Sequence, residues 1–186
     1  MIIRRFGFNS YLLLSLLPVL GIGCQTEKSK EEHEYATFTV HVEIRDRQSD
    51  SAKLISVLRS SPMTLTVDKE PFLNESMVKS AKVIDIPDGG FQLQIEFTKH
   101  GGLILEQASA RSLGKRFAIY SEFGRQTARQ VFPQARWLAA PKIEKRISNG
   151  MLTFTPDADR KEADEIALAL NNLVRVRKER SYIEED

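Results

Sequence analysis

The sequence predicts an α+β domain, and three observations predict it. Apolar residues alternate with polar ones in several short runs, the pattern of half-buried strands. Elsewhere the apolar spacing changes to that of a helix with one buried stripe. Glycine-containing turn sequences, Pro87-Asp88-Gly89-Gly90 and Ser148-Asn149-Gly150, punctuate the runs.

The first strand signal is Phe38, Val40, Val42 and Ile44, alternating with Thr37, Thr39, His41, Glu43 and Arg45. Residues 48–51 break it. Met63, Leu65 and Val67 alternate again, and Val83, Ile84 and Ile86 suggest a further strand. Phe91, Leu93, Ile95 and Phe97, interleaved with Gln92, Gln94, Glu96 and Thr98, form the clearest strand. The turn at 87–90 makes these last two a hairpin. After Lys99-His100-Gly101-Gly102 the period becomes helical, through Leu105, Ala108, Ser109 and Ser112, with Gly114 as a stop. The Gly101-Gly102 pair is read as the point where the strand turns sharply into this helix. Phe117, Ile119 and Ser121 begin another strand. Residues 143–147 and 152–154 read as two more, joined by the tight turn at 148–150.

Thr155-Pro156 opens the last helix. Asp159 and Glu162 have the spacing of a capping box, and Ala163, Ile166, Ala167, Leu170 and Val174 form its buried stripe. The mixed charges of residues 176–186 read as a fraying tail.

The front of the chain is organised differently. Arg4 and Arg5 precede a short apolar run from Tyr11 to Leu20, and Gly21, Ile22 and Gly23 lead into Cys24, the only cysteine. That is the order of a secretory signal. The run is too short for a comfortable membrane span, which needs about 20 apolar residues. Gly23-Cys24 resembles the lipobox of bacterial lipoproteins, with Gly21 where leucine is usual. The resemblance implies cleavage before Cys24 and palmitate-type acylation on it. The expected organisation is a signal peptide (1–23), a lipidated tether (24–35), one domain (36–175) and a charged tail (176–186). Gln25 after the cysteine, rather than Asp, favours the outer membrane over the inner by resemblance to enterobacterial lipoproteins. The expected localisation is periplasm-facing.

Composition narrows the function classes. Lys and Arg number 27 against 25 Asp and Glu, a formal charge of +2. Without Arg4 and Arg5 the rest is near neutral, so a nucleic-acid partner is not expected, since that requires a persistent basic face. A hydrophobic content of 41% suffices for a core without disulfides.

In the expected domain, residues 62–173 resemble the head subdomain of the first periplasmic domain of SecD, an accessory subunit of the bacterial protein-export translocase. The resemblance rests on Glu70-Pro71-Phe72-Leu73 with Ala81, on residues 91–101, and on Gly114-Lys115-Arg116-Phe117-Ala118-Ile119, with Ser109 in place of the family's usual Thr. Ala140-Pro141-Lys142-Ile143, Gly150, Phe154-Thr155 and Glu162-Ala163 continue it in order. It implies an antiparallel sheet with two helices on one face, ferredoxin-like in outline, and a role near protein transport. Two departures stand out. Ser121-Glu122-Phe123-Gly124 replaces the family's Leu-Asp-Gly strand end, and residues 126–137 are an added stretch. No segment after Cys24 is long and apolar enough to span a bilayer, so a complete translocase motor is not expected.

No nucleophile elbow and no phosphate loop is present. His33 falls in the tether, His41 on a strand's polar face beside Glu43, and His100 beside the glycine pair, without ligand spacing. No metal, cofactor or catalytic residue is therefore assigned, and the chain is not expected to be an enzyme. From Arg111 to Arg146 the chain is locally basic, and the added stretch brings aromatics beside arginine, a combination enriched at interfaces. Arg125, Arg129, Phe132, Arg136 and Trp137 are the candidate partner-binding residues. The expectation is a lipid-anchored envelope binding or assembly module contacting a protein partner or exported chains. The alternative is a small envelope enzyme or ligand-binding lipoprotein with its site at the sheet edge.

Overall fold

The computed structural model describes residues 33–46, 48–87, 89–126 and 131–184. The expected signal peptide, Cys24, most of the tether and Arg129 lie outside the described residues. In chain order the elements are β1 (His33–Val42), β2 (Ala52–Val57), β3 (Met63–Asp68), β4 (Leu73–Asn74), a 3₁₀ turn (Glu75–Met77), β5 (Val78–Asp85), β6 (Phe91–Phe97), α1 (Lys99–Arg111), β7 (Phe117–Gln126), β8 (Val131–Ala139), β9 (Met151–Phe154) and α2 (Arg160–Glu184).

The α+β class holds, and every strand pair is antiparallel. The pairing is divided among three sheets, ordered β4-β1-β7-β8, β2-β3 and β5-β6-β9. Alternation dictates which residues go inside. In β6, Leu93, Ile95 and Phe97 are buried while Gln92, Gln94 and Glu96 stay partly exposed. Each such apolar side chain contributes about 1.5–3 kcal/mol on burial. The β5–β6 hairpin forms as expected, with Gly89 at φ 78 in its turn, a conformation that favours glycine.

Helix α2 packs against both β5 and β1 and thereby bridges two sheets. Its start is a reciprocal capping box: the Glu162 amide donates to Asp159 Oδ1 at 2.8 Å, and the Asp159 amide to Glu162 Oε2 at 3.0 Å. The stripe of Ala163, Ile166, Ala167, Leu170 and Val174 is buried. Helix α1 packs against β6 and β4. One core cluster joins the two larger sheets and both helices, through Phe38, Leu73, Phe97, Leu105, Phe117, Ile166 and Leu170. A smaller one, built on Ile55, Val57, Leu65, Val67, Ala118 and Ala140, fastens the β2–β3 hairpin.

Several sequence expectations are corrected. β1 starts at His33, inside the expected tether, because its first residues pair with 123–126 of β7. Residues 143–147 are not a strand. Their backbone groups are taken elsewhere: Ile143 donates to Lys115 O and accepts from Gly114, and Ile147 donates to Ser109 Oγ. The strand after the turn, β9, pairs with β6 instead. The added stretch carries β8, which pairs with β7, and Pro133 fits there because β8 is an edge strand. The expected charged tail is helical to Glu184, and its Arg177 donates to the carbonyl of Val78 at 2.5 Å and to those of Glu75 and Ser76.

Gly101 and Gly102 are not in a turn between strand and helix. They lie in the first turns of α1, which begins at Lys99 with Thr98 as its cap. A Cβ on Gly101 would sit 3.0 Å from Met77 Cβ and 3.1 Å from Phe97 Cβ, and one on Gly102 would sit 3.3 Å from the Gly150 Cα. The pair is needed for close approach of the helix to its neighbours.

Candidate functional site

Of the five residues singled out from the sequence, the two whose side chains the structure describes, Arg136 and Trp137, face apart. The backbone of Arg125 lies opposite Glu34 on one side and Phe132 on the other, near the end of the β7–β8 hairpin. Arg129 is outside the described residues. Arg136 and Trp137 are consecutive in β8, and consecutive strand residues face opposite sides. Arg136 turns toward α2. Its guanidinium donates to both carboxylate oxygens of Glu162, at 2.6 and 3.2 Å, donates to the Asp157 carbonyl, and covers the Phe123 ring at 5.2 Å. Only 14% of its side chain is exposed. It is thus engaged within the fold rather than offered as a free cation.

Trp137 turns the other way, toward the β2–β3 hairpin. Its ring lies 5.1 Å from His41, edge-on, and 5.2 Å from Tyr120, with Lys53 Nζ 5.7 Å away. His41 is buried rather than exposed on a polar strand face. Nδ1 lies 2.8 Å from the carbonyl oxygen of Asp68, which only accepts, so Nδ1 carries the hydrogen. In the neutral ring Nε2 then accepts from the Thr39 hydroxyl at 3.0 Å. Burial pushes the His41 pKa below 6.5, the Asp68 carbonyl bond opposes this, and Lys53 adds to the lowering. Burial, with Glu122 nearby, raises the pKa of Tyr120. The arrangement joins the end of β3 to the larger sheet. Its neutral, doubly bonded imidazole is built for holding.

A different surface carries unused charge. Lys99, Leu103, Gln107 and Arg111 recur every fourth residue along the exposed side of α1. Beside them runs the 146–150 loop, tied to α1 by the Arg146–Glu106 ion pair and by Ile147 N–H on Ser109 Oγ. Two adjoining grooves of about 490 and 310 Å³ lie along this helix, sharing Leu103 and Glu106 in their walls. A third, of about 480 Å³, lies between Glu75 and the end of α2 at Leu173 and Arg177. The four-residue spacing from Lys99 to Arg111 was present in the sequence. The glycine pair after Lys99 concealed it, because two glycines argue against a helix interior.

Among the described residues no group of three or more His, Cys, Asp or Glu is placed to hold a metal ion, and no helix is long and apolar enough to cross a membrane.

Comparison with known proteins locates the fold. The family described as the SecDF P1 head subdomain matches residues 51–172. No curated protein matches the sequence. Among solved structures, one of SecDF, described as a membrane component that enhances protein export, superposes with a TM-score of 0.50 at 18% identity, over 74% of this chain and 63% of that one. A second, SecDF in a super-membrane-facing form, gives 0.50 at 17% identity, over 74% of this chain and 19% of that one. The chain thus spans less than two thirds of the SecDF chains it matches.

Proposed function

Because the chain belongs to the SecDF P1 head subdomain family over residues 51–172, we propose that it serves in the bacterial envelope as a binding module beside protein export. A lipid on Cys24 holds it at the membrane, and the head domain contacts exported chains or a protein partner. The observation that carries this reading is the head-family match following a signal-like segment that ends in a lone cysteine. Several acyl chains on Cys24 suffice for durable anchoring, since each buried methylene contributes about 0.8 kcal/mol.

In-cell crosslinking of the tagged full-length protein, followed by mass spectrometry, tests the role. Recovery of translocase subunits or of many exported chains is expected. Recovery of neither sinks the export role. Replacing Cys24 with Ser tests the anchor: the protein should lose its lipid mass and leave the membrane fraction, and unchanged mass and retention would remove the anchor.

A further inference from the structure

The row on α1 and the loop beside it bound a trough. Its two grooves adjoin along the helix and share Leu103 and Glu106 in their walls. Lys99 lines one groove and Arg111 the other. Leu103, 51% exposed, and Ala110 supply apolar surface between them. Arg146 is paired with Glu106, and Lys79, which also lines the larger groove, with Glu96. The side chains of Lys99 and Arg111 have no ion-pair or hydrogen-bond partner among the described residues. Two unneutralised cations therefore stand at either end of a stretch in which Leu103 and Ala110 alternate with the polar Glu106 and Gln107.

Their spacing sets what fits. Twelve residues of helix rise about 18 Å, and an extended chain covers that distance in about five residues. We infer that this trough binds an extended polypeptide segment carrying two carboxylates about five residues apart around an apolar side chain. Charge complementarity picks acidic groups, and the two adjoining grooves between helix and loop give a narrow chain a place to lie. The apolar side chain rests on Leu103 and Ala110 while the carboxylates reach Lys99 and Arg111. The inference deepens the proposed export-side binding role and rests on it for the identity of the segment as part of an exported chain.

The test uses the full-length protein in nanodiscs of zwitterionic phosphatidylcholine. The probe is a fluorescein-labelled peptide with two aspartates about five residues apart around a leucine, followed by anisotropy. Saturable binding is expected, falling at least tenfold when Lys99→Glu and Arg111→Glu are combined and when the aspartates become asparagines. Leu103→Ser should weaken binding without changing the charge. Circular dichroism confirms that these exposed-site variants remain folded. Binding unchanged by the charge reversal, or no binding at all, overturns the inference. So does a probe at position 103 that shifts to the blue in anionic nanodiscs without peptide, which would assign the trough to lipid. Peptide binding that depends on Lys99 and Arg111, without crosslinking to exported chains in cells, keeps the trough and sinks the export role. Crosslinking that persists in the double variant does the reverse.

Discussion

The side-chain amide of Asn171 holds both backbone groups of Ala81. Ala81 N–H donates to Asn171 Oδ1 at 2.9 Å, and Asn171 Nδ2 donates to the Ala81 carbonyl at 2.8 Å. A carboxamide carries the same donor and acceptor as a peptide group, so α2 supplies β5 with the partner an adjacent strand would have given. β5 is the edge of its sheet, and an edge left with free N–H and C=O groups invites pairing with another chain.

Asn171→Ala should therefore cost about 1–2 kcal/mol, two hydrogen bonds at a partly exposed site. Urea unfolding measures this, and amide exchange at Ala81 should speed up while that at the centre of β1 stays slow. Unchanged exchange at Ala81 would show that the clamp does not protect the edge.

Gly101→Ala should destabilise by about 1–3 kcal/mol, the range for overpacking. The added methyl meets Met77 and Phe97, both held by their own elements, and the Met77 carbonyl at 3.2 Å. In an ordinary helix interior the same change would stabilise. Thermal unfolding gives the sign, and a raised melting temperature would mean that α1 moves aside freely.

Glu162→Ala should cost more than Asp159→Ala. Loss of the Asp159 cap is worth about 1 kcal/mol. Glu162 supplies the other half of that box and also neutralises Arg136, whose side chain is 14% exposed. Removing it leaves a largely buried cation unpaired, and a total near 2–3 kcal/mol is expected. Equal losses for the two variants would argue that Arg136 is indifferent to its partner.

Acid should loosen the β2–β3 hairpin through His41. Its folded pKa lies below 6.5, so the folded protein binds the proton less readily than the unfolded chain. The stabilising contribution is complete above pH 6.5, where the ring is neutral in both states. It falls as pH drops below 6.5 and is lost once pH passes through the folded pKa. Stability measured from pH 7 to 5 should decline more steeply in the natural protein than in His41→Gln. Parallel curves would exclude His41 as the cause.

Strands with clean alternation were legible from the sequence, as β6 illustrates, and so were the capping box and buried stripe of α2. What escaped depended on distant partners. β2 contains the adjacent pair Leu54 and Ile55, which spoils its period, and Leu54 is left 64% exposed while Ile55 joins the small core. β8 holds Pro133, Gln134 and Arg136, and only its pairing to β7 makes it a strand. Residues 143–147 have strand composition, yet their N–H and C=O groups are consumed by the chain around α1 and β7. The candidate surface suffered similarly. Proximity in sequence suggested that Arg136 and Trp137 act together, but the strand sends them to opposite faces, and each finds partners there.

The pairing of β1 with β7 bears on the order in which the molecule assembles. The hydrogen bond from Ser121 Oγ to the Thr37 carbonyl closes a loop of 84 residues, and the whole length of β1 depends on that same distant partner. Contacts so far apart in the chain are entropically slow to form. A chain that folds as it emerges from its N-terminus must release every residue through β7 before β1 acquires this neighbour. Until then one whole edge of β1 stays without its partner, while β4 can cover only Thr39 and Val40 on the other.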